Sequence, residues 1–191
     1  MRLFLATGNS GKRKEFERLL GPPFEIVKVD YPTVVEGNDM ETNARMKAVA
    51  GFRVAQNLTI GEDSGLFVDA LDGAPGVFSA RFGGTDQERI ERLLGMLSDA
   101  DNRDAYFRSI IALAINEDLV KIFQGECRGR IAASPVGEYG FGYDPIFIPH
   151  GYDQTFGLLG PEVKDRISHR AMAVKNLRDF LQDYRGVAQP G

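Results

Sequence analysis

The sequence contains little cysteine or histidine and no excess of basic residues. Cys127 is the single cysteine, so no intramolecular disulfide can form, which fits a reducing compartment and predicts a cytoplasmic location. No catalytic signature surrounds Cys127, which favours a structural thiol. Two histidines in 191 residues argue against a zinc cluster. The net charge of −4 and the pI near 5.3 argue against a general binder of nucleic acid or of membrane surfaces.

Long hydrophobic runs, internal repeats and linker-like stretches are absent as well. The apolar run at residues 3–6 meets a charged helical pattern by Lys12, so it is too short for a signal peptide or a membrane span. A chain of 191 residues with 43% hydrophobic residues can bury about 70% of its unfolded surface. We therefore expect one domain over residues 1–191, with a tail at 186–191 that frays. A local cluster of basic residues on this acidic domain could still bind a small phosphorylated ligand.

Short apolar runs alternate with amphipathic stretches along the chain, which predicts an α/β fold. Two β runs at residues 105–115 and 119–132 are separated by a brief polar connection, so we expect an antiparallel hairpin and a mixed sheet. One predicted helix has a face of small residues, Ala44, Ala48 and Ala55. Further strands are predicted at residues 2–6, 24–29, 58–62 and 66–71, and helices at 12–20, 41–56, 86–97 and 170–184.

The stretch T-G-N-S-G-K, residues 7–12, links the first predicted strand to the first predicted helix. Backbone N–H groups at the start of a helix attract anions, and Lys12 adds a full positive charge. The stretch is not a Walker A loop, because two residues separate Gly8 from Gly11 and Arg13 stands where Ser or Thr is required. A phosphate site of another kind and an ordinary turn both stay open.

The stretch G-E-D-S-G-L-F-V-D, residues 61–69, places two acids side by side at a strand end. Successive residues of a strand point to opposite faces, so Glu62 and Asp63 share a site only if the strand breaks, which Ser64 and Gly65 would permit. Buried acids need a compensating cation, and carboxylates in a chain with few histidines suit Mg²⁺ better than Zn²⁺. The alternatives are a Mg²⁺ site and a solvated turn.

Two further segments are dense in aromatic or basic residues. F-G-Y-D-P-I-F, residues 141–147, can stack on a nucleobase while its aspartate accepts base N–H groups, or can line the core. The second segment is K-D-R-I-S-H-R-A-M-A, residues 164–173. It places basic residues at the start of a predicted helix, where the helix dipole disfavours positive charge, and this hints at a ligand. Ser168 as a helix N-cap would equally explain that segment. His150 lies in a loop and is assigned no role.

These motifs occur together in an order that resembles the inosine triphosphate pyrophosphatases. The matching patterns, from Thr7 to Arg170, are T-G-N-x-x-K, N-A-x-x-K-A, [DE]-D-S-G-L, G-x-P-G-x-x-S-A-R-[FY], F-G-Y-D-P-I-F and S-H-R. Members of that family hydrolyse non-canonical purine nucleoside triphosphates (ITP, dITP and XTP) to the monophosphate and pyrophosphate, and so cleanse the nucleotide pool. The resemblance implies Mg²⁺ dependence and a homodimer. It also implies a two-lobed α/β fold, with a long mixed sheet flanked by helices and a nucleotide cleft between the lobes.

The resemblance also implies roles for individual positions. Asp63 would be the essential carboxylate, as a Mg²⁺ ligand or as the activator of the attacking water, with Glu62 and Ser64 beside it. The residues implied for the triphosphate are Thr7, Gly8, Asn9, Lys12 and Lys47. Those implied for the base are Phe141, Gly142, Tyr143, Asp144, Lys164, His169 and Arg170, with Arg81 as a further contact.

One position departs from the family pattern. Members carry a metal-binding glutamate two residues before a glycine, and Val35 occupies that position here. Glu36 is the expected substitute, Glu62 is a further candidate ligand, and Glu41 is a weaker one because it lies in a predicted helix. The departure leaves open a non-catalytic nucleotide sensor. A related pyrophosphatase that acts on modified pyrimidines is the other alternative, which the S-H-R segment disfavours.

Overall fold

The structure, a computed structural model, describes residues 1–187. Residues 188–191, most of the tail expected to fray, lie outside the described part. The strands are β1 (Arg2–Ala6), β2 (Glu25–Lys28), β3 (Thr59–Val68), β4 (Pro75–Gly76), β5 (Asp104–Ala114), β6 (Val120–Ile131) and β7 (Phe147–Pro149). The helices are α1 (Ser10–Leu20), α2 (Met40–Ala55), α3 (Asp86–Met96), α4 (Phe156–Ile167) and α5 (His169–Val187).

The strands form a mixed seven-stranded sheet in the order β2-β1-β3-β5-β6-β7, with β4 paired to β3. β1 runs parallel to both of its neighbours, and its Leu5 lies opposite Lys28 of β2 and Ile60 of β3. β6 and β7 run antiparallel, with Arg130 opposite Ile148. The predicted α/β class with a mixed sheet is therefore confirmed.

The predicted pairing of the two long β runs is also present. β5 and β6 are neighbours in the sheet, and at their connection the Ile115 N–H donates to the Leu119 carbonyl at 2.9 Å.

A capping side chain fixes where α2 begins: it starts at Met40 because the Asp39 carboxylate accepts from the Thr42 N–H at 2.8 Å. Within residues 1–187, no helix is long and apolar enough to cross a membrane.

The expected strand break after Asp63 is wrong, because β3 runs without interruption from Thr59 to Val68. Gly65 was the reason to expect a break. In the structure, Gly65 instead allows β4 to lie close to β3. A Cβ at this position would lie 2.2 Å from the Gly76 carbonyl oxygen of β4, a distance that no side chain tolerates. Glycine therefore permits the pairing of β3 with β4 here.

The chain divides into two compact units, each with its own hydrophobic core. Unit 1 contains Met1–Asp63, Ser109–Gly125 and the described residues from Arg170 onward. Unit 2 contains Ser64–Arg108 and Glu126–His169. The unit 1 core includes Leu3, Leu5, Phe16, Ile60, Ile111, Leu113, Val174 and Leu177, and the unit 2 core includes Leu66, Leu93, Phe107, Ile131, Ile146, Phe147 and Phe156. The single-domain assignment and the nucleotide cleft stay predictions.

In unit 1, small residues bring α2 close to the sheet. Ala44 and Ala48 are fully buried, and the backbone of Gly61 in β3 lies directly beneath them. A Cβ on Gly61 would come within 2.3 Å of the Ala44 carbonyl oxygen and 2.4 Å of the Ala48 nitrogen. This close contact fixes α2 against β3 and sets the height of Lys47, which projects from the same helix.

Cys127 lies buried in unit 2 as a free thiol. Burial raises the pKa of the thiol to about 12, so the reactive thiolate is scarce at neutral pH. This environment matches the structural role expected from the sequence.

Candidate active site

The turn between β1 and α1 is organised by its own side chains. Asn9 is the N-cap of α1: its side-chain oxygen accepts from the Lys12 N–H at 3.0 Å, while the Thr7 hydroxyl oxygen accepts from the Asn9 N–H at 3.1 Å. Gly8 is exposed, with open space around the position of a Cβ. The turn therefore fixes the start of α1 and the direction in which Lys12 leaves the helix.

Lys12 belongs to a largely buried group of polar and charged side chains in unit 1 that we call the Glu62 cluster: Lys12, Glu15, Glu62, Ser109 and Arg170. The Lys12 ammonium lies 2.6 Å from Glu62 Oε2. Glu62 Oε1 accepts from Arg170 Nη2 at 2.9 Å and from the Ser109 hydroxyl at 2.8 Å. Arg170 Nη1 also donates to the Glu15 carboxylate. Two carboxylates thus balance two cations, which allows burial of the whole group.

Electrostatics keep Glu62 ionised in this cluster. Burial alone would raise the pKa of Glu62, but the charges of Arg170 and Lys12 outweigh it and hold the pKa far below its ordinary value. Glu62 therefore stays a carboxylate anion, and both of its oxygens can accept hydrogen bonds from their cationic partners.

A second group in unit 1, the Asp63 cluster, consists of Glu36, Asn43, Lys47 and Asp63. The Lys47 ammonium lies 2.5 Å from Glu36 Oε1 and 3.3 Å from Asp63 Oδ1. Asn43 donates to Asp63 Oδ2 at 3.0 Å, and its own side-chain oxygen accepts from the Gly37 N–H at 2.8 Å. Asn43 therefore anchors the loop that carries Glu36 and orients Asp63 at the same time.

Asp63 and Lys47 both have a raised pKa in this cluster, but for different reasons. Burial raises the pKa of Asp63 above its ordinary value, although Lys47, Lys12 and the Asn43 hydrogen bond oppose the shift. Burial would lower the pKa of Lys47, but the negative charges of Asp63 and Glu36 outweigh it and raise the pKa. Lys47 therefore stays charged, while Asp63 binds a proton more readily than an ordinary aspartate.

The structure separates the two adjacent acids of β3. In an uninterrupted strand Glu62 and Asp63 point to opposite faces, and they join different clusters accordingly. Glu62 as a metal ligand stays a prediction; its two oxygens contact Lys12, Arg170 and Ser109. Glu41 is exposed and pairs with Arg45 on the surface of α2.

Glu36 and Asp63 are the carboxylates that fit Mg²⁺ best. Their oxygens are hard donors that meet at one ammonium group, that of Lys47. Among residues 1–187 no three histidine, cysteine or carboxylate side chains gather into a closed metal site. Mg²⁺ usually binds proteins through one or two carboxylates and completes its shell with water and substrate phosphates, so this pair fits the expected ion.

In unit 2, the expected base-binding residues lie in and around the loop before β7. The Asp144 carboxylate accepts from the Phe141 N–H at 2.8 Å and from the Lys164 ammonium at 2.5 Å. The same ammonium lies 4.7 Å from the centre of the Phe141 ring. Gly140 has φ of +82°, and a Cβ there would lie 2.0 Å from Asp144 Oδ2. Glycine is therefore required for the tight turn that brings these three side chains together.

Two contacts from other parts of unit 2 hold the same loop. The Gly142 N–H donates to Asp86 Oδ2, in the first turn of α3, at 2.7 Å. The Tyr143 hydroxyl donates to the Ser79 carbonyl at 2.9 Å, and the ring is buried. Tyr143 therefore anchors the loop from within, whereas Phe141 is half-buried.

The remaining predicted site residues occupy varied environments. His169 is buried in unit 2, and its ring stacks on Phe107 with centroids 4.7 Å apart. Arg81 is exposed and lies over the ring of Phe78 at 5.0 Å, while Ser64 is half-buried within β3. Arg170, expected at the base, belongs to unit 1 and is 1% exposed.

Several residues of these clusters were not predicted. Asn43 is the first residue of the N-A-x-x-K-A pattern, so the motif itself carried a signal for it. Glu15 and Ser109 have no such signal, because α1 and β5 bring them to Glu62 and Arg170 only in the folded chain.

Comparison with known proteins decides the family. A profile described as the Ham1 family matches residues 3–180. The chain belongs to the Ham1 family. The resemblance stated from the motifs is thereby confirmed at the level of the family.

Individual Ham1 relatives match over nearly their full length. A dITP/XTP pyrophosphatase of Gloeobacter violaceus is 46% identical over 178 residues, which cover 92% of this chain and 91% of that protein. A solved HAM1 protein from Coxiella burnetii superposes with a TM-score of 0.86 at 36% identity, covering 96% of this chain and 99% of that one. A nucleoside-triphosphatase / dITP/XTP pyrophosphatase from Mycobacterium abscessus gives a TM-score of 0.73 at 40% identity, with 93% and 98% covered.

Proposed function

We propose that this Ham1 protein hydrolyses non-canonical purine nucleoside triphosphates, ITP, dITP and XTP, to the monophosphate and pyrophosphate. The observation that carries the proposal is the 46% identity, over 92% of the chain, to a protein named dITP/XTP pyrophosphatase. The six ordered motifs support it, because a distant relative with another chemistry would be expected to lose some of them.

The residues proposed for the triphosphate lie in unit 1. Lys12 and Lys47 supply positive charge against about four negative charges on the phosphates, and positioning with charge stabilisation accounts for most of phosphoryl-transfer catalysis. Thr7, Gly8 and Asn9 form the turn that fixes the start of α1, where backbone N–H groups favour an anion. An exposed glycine at position 8 leaves room for a phosphate to approach the backbone.

Asp63 is proposed as the residue that takes the proton of the attacking water. The pKa of Asp63 is raised and so lies closer to neutral pH than that of an ordinary aspartate. A general base is most effective when its pKa lies near the working pH. Asn43 and Lys47 hold one oxygen each, so the side chain has a defined orientation before substrate arrives. Ser64, the next residue of β3, is proposed as a neighbouring substrate contact.

Glu36 and Asp63 are proposed to hold Mg²⁺. A bound Mg²⁺ would stabilise negative charge on the phosphate oxygens as a Lewis acid. The Lys47 ammonium lies between the two carboxylates and compensates their charge. Lys47 would then be free to turn toward the phosphates when the divalent cation takes over that compensation.

The residues proposed for the base lie mainly in unit 2. Phe141 would stack on the purine, and Asp144, Lys164 and His169 would complete recognition, with the backbone of Gly142 and Tyr143 shaping the loop. Arg81 is proposed as a further contact. Arg170 faces Glu15 and Glu62 with both terminal nitrogens, so its proposed contact with the base rests on the family resemblance alone.

Base selectivity is expected to depend on the 6-keto oxygen of hypoxanthine and xanthine. Adenine carries an amino donor there, and a site that offers a donor would leave polar groups unpaired with ATP. Such hydrogen-bonded sites can reject an analogue by about 10⁴-fold or more. His169 or a backbone N–H is the proposed donor.

A substrate panel tests the proposal. The protein is incubated with Mg²⁺ and ITP, dITP, XTP, ATP, GTP or pyrimidine triphosphates, and the products are identified by chromatography. We expect rapid hydrolysis of the first three only, with pyrophosphate as the initial product. Equal rates on ATP and ITP would contradict the selectivity, preference for a pyrimidine would support the related enzyme instead, and orthophosphate alone would contradict the pyrophosphatase chemistry.

A homodimer that acts in the cytoplasm is proposed in addition. The resemblance to the family supports the dimer, and the lone buried Cys127 fits a reducing compartment. Light scattering on the purified chain should give about twice the monomer mass of 21.1 kDa, and a monomeric mass at micromolar concentration would contradict the dimer.

A further inference from the structure

Glu62 lies next to the proposed reactive carboxylate in sequence, yet it faces a different cluster. Its Oε2 lies 2.6 Å from Lys12 Nζ, and its Oε1 accepts from Arg170 Nη2 at 2.9 Å. The side chain is 1% exposed, whereas that of Lys12 is 16% exposed. One buried carboxylate therefore contacts two cations, of which one still reaches solvent.

We propose that Glu62 is a positioning residue that fixes the Lys12 ammonium for the triphosphate and shares its negative charge with Arg170. The inference rests on the proposed function, because Lys12 is there the residue that meets the phosphates. It assigns Glu62 a role through Lys12 and not as a ligand of a metal ion.

The geometry explains why such a residue is needed. A lysine side chain loses rotamer entropy when it is held in one conformation. An ammonium already fixed in the free protein spares substrate binding that loss, which is the general benefit of preorganisation. Ser109 in turn fixes Glu62, since its hydroxyl donates to Oε1 at 2.8 Å from a fully buried position.

Charge balance explains why the position is occupied by a carboxylate. Arg170 already has a partner in Glu15, so its burial alone does not demand a second anion. Without Glu62, however, Lys12 would lose the anion that lies at 2.6 Å. An uncompensated ammonium withdraws toward water when the stem is flexible. Glu62 therefore keeps Lys12 turned inward.

Glu15 provides a matched control for the experiment. Glu15 and Glu62 are both buried carboxylates of the same cluster and both accept from Arg170, and Glu62 is the one whose oxygen lies 2.6 Å from the Lys12 ammonium. Glu62→Gln and Glu15→Gln each remove one charge with little change of shape. Thermal melting of both variants first establishes that they fold.

The first readout is independent of catalysis. Reductive methylation with formaldehyde and borohydride, followed by mass spectrometry, measures how fast Lys12 is labelled relative to the exposed Lys28. We expect Glu62→Gln to speed labelling of Lys12 at least fivefold and Glu15→Gln to change it less than twofold. Equal effects of the two variants would overturn the proposal and leave Glu62 a purely structural anion.

The second readout uses the enzyme reaction. Inhibition of dITP hydrolysis by added pyrophosphate should weaken about tenfold in Glu62→Gln, equivalent to 1.4 kcal/mol, and less than twofold in Glu15→Gln. Unchanged inhibition in Glu62→Gln would contradict the proposal even if labelling changed. If the wild type hydrolyses no triphosphate, the proposed function fails, while the labelling arm still decides whether Glu62 holds Lys12.

A milder variant covers the case in which Glu62→Gln does not fold. Glu62→Asp keeps a negative charge in the cluster but withdraws it by one methylene from Lys12. We expect labelling of Lys12 to rise at least twofold in this variant. Labelling equal to that of the wild type would overturn the proposal.

Discussion

The charged clusters of unit 1 and the aromatic loop of unit 2 hold their proposed substrate residues by different means. In unit 1 most of these side chains leave helices and strands, and charged groups hold one another, as in the contacts of Lys47 with Glu36 and Asp63. In unit 2 the loop at 141–144 is held largely through its backbone, by the contacts of Phe141 with Asp144 and of Gly142 with Asp86.

The difference matches the two halves of the expected substrate. A triphosphate presents charge, which needs fixed countercharges that are costly to bury unless they are mutually paired. A purine presents a flat face, which needs an accessible ring on a loop of defined shape. We therefore expect loss of the Asp63 carboxylate in unit 1 to act mainly on turnover, and changes in the unit 2 loop to act mainly on substrate affinity.

Asp63→Asn should give the largest effect and define the unit 1 side of the comparison. Loss of the proton acceptor should lower kcat for dITP by about 10²- to 10⁴-fold, while calorimetry shows ITP binding within threefold of the wild type. A kcat within tenfold of the wild type would refute the assignment of Asp63 as the proton acceptor. Wild-type binding of ITP without any Mg²⁺-dependent turnover would instead revive the nucleotide sensor.

Phe141→Ala tests the unit 2 side. Loss of base stacking should raise KM for dITP about tenfold, within the 1–3 kcal/mol typical of one stacked base, and leave kcat within about twofold. Tyr139→Ala, which removes an exposed ring from the same connection, serves as the control and should leave KM unchanged. A drop in kcat as large as that of Asp63→Asn would break the proposed division between the units.

Asp86→Ala asks whether the backbone of the loop must be held. Without the acceptor for the Gly142 N–H, the loop should loosen, and KM should rise about fivefold, or about 1 kcal/mol. Hydrogen exchange of residues 139–145 should become faster in the same variant. Glu88→Ala breaks the capping box of the same helix without touching the loop, so exchange as fast as in Asp86→Ala would show that helix fraying, and not the lost contact, is responsible.

Acid titration should give the smallest effect and separates the two acids of β3. The pKa of Glu62 is lowered in the folded state, so its stabilisation is present above the ordinary value of 4.5 and is lost as the pH falls below it. The pKa of Asp63 is raised, so this group favours the folded state as the pH falls.

Urea unfolding at pH 6 and pH 3.5 measures these contributions. The wild type should lose more free energy of unfolding between the two pH values than Glu62→Gln does, by about 1 kcal/mol. Asp63→Asn should lose more than the wild type. The same sign for both variants would contradict the opposite environments of the two carboxylates.

The sequence predicted the elements better than it predicted their partners. Periodicity located most helices and strands because each amphipathic face must be buried. The break expected at Ser64–Gly65 was wrong because a glycine in a strand can either interrupt the strand or let a neighbouring backbone come close. Only the pairing of β3 with β4 shows that Gly65 does the second. The small face of Ala44 and Ala48 was visible in the sequence, whereas its contact with Gly61 was not.

The candidate site divides in the same way. The motifs identified Lys12, Lys47, Asp63 and the 141–144 loop, and with the family resemblance they set the chemical class. The distribution of Glu62 and Asp63 into different clusters required the structure. The structure was also needed to place Glu36, whose carboxylate lies 2.5 Å from the Lys47 ammonium. Glu36 thus offers a carboxylate one residue after Val35, the position where family members carry glutamate.

By itself, the sequence determined an α/β chain with a glycine-containing turn ahead of Lys12, an acidic strand and an aromatic loop, since each of these is a local pattern of a few consecutive residues. Tertiary structure alone decided which charges pair: Glu15 of α1 and Arg170 of α5 are 155 positions apart, yet they share a buried ion pair. The reason is physical. Burial of a charge is favourable only with a partner, and packing of the helices on the sheet, not proximity in the chain, selects that partner.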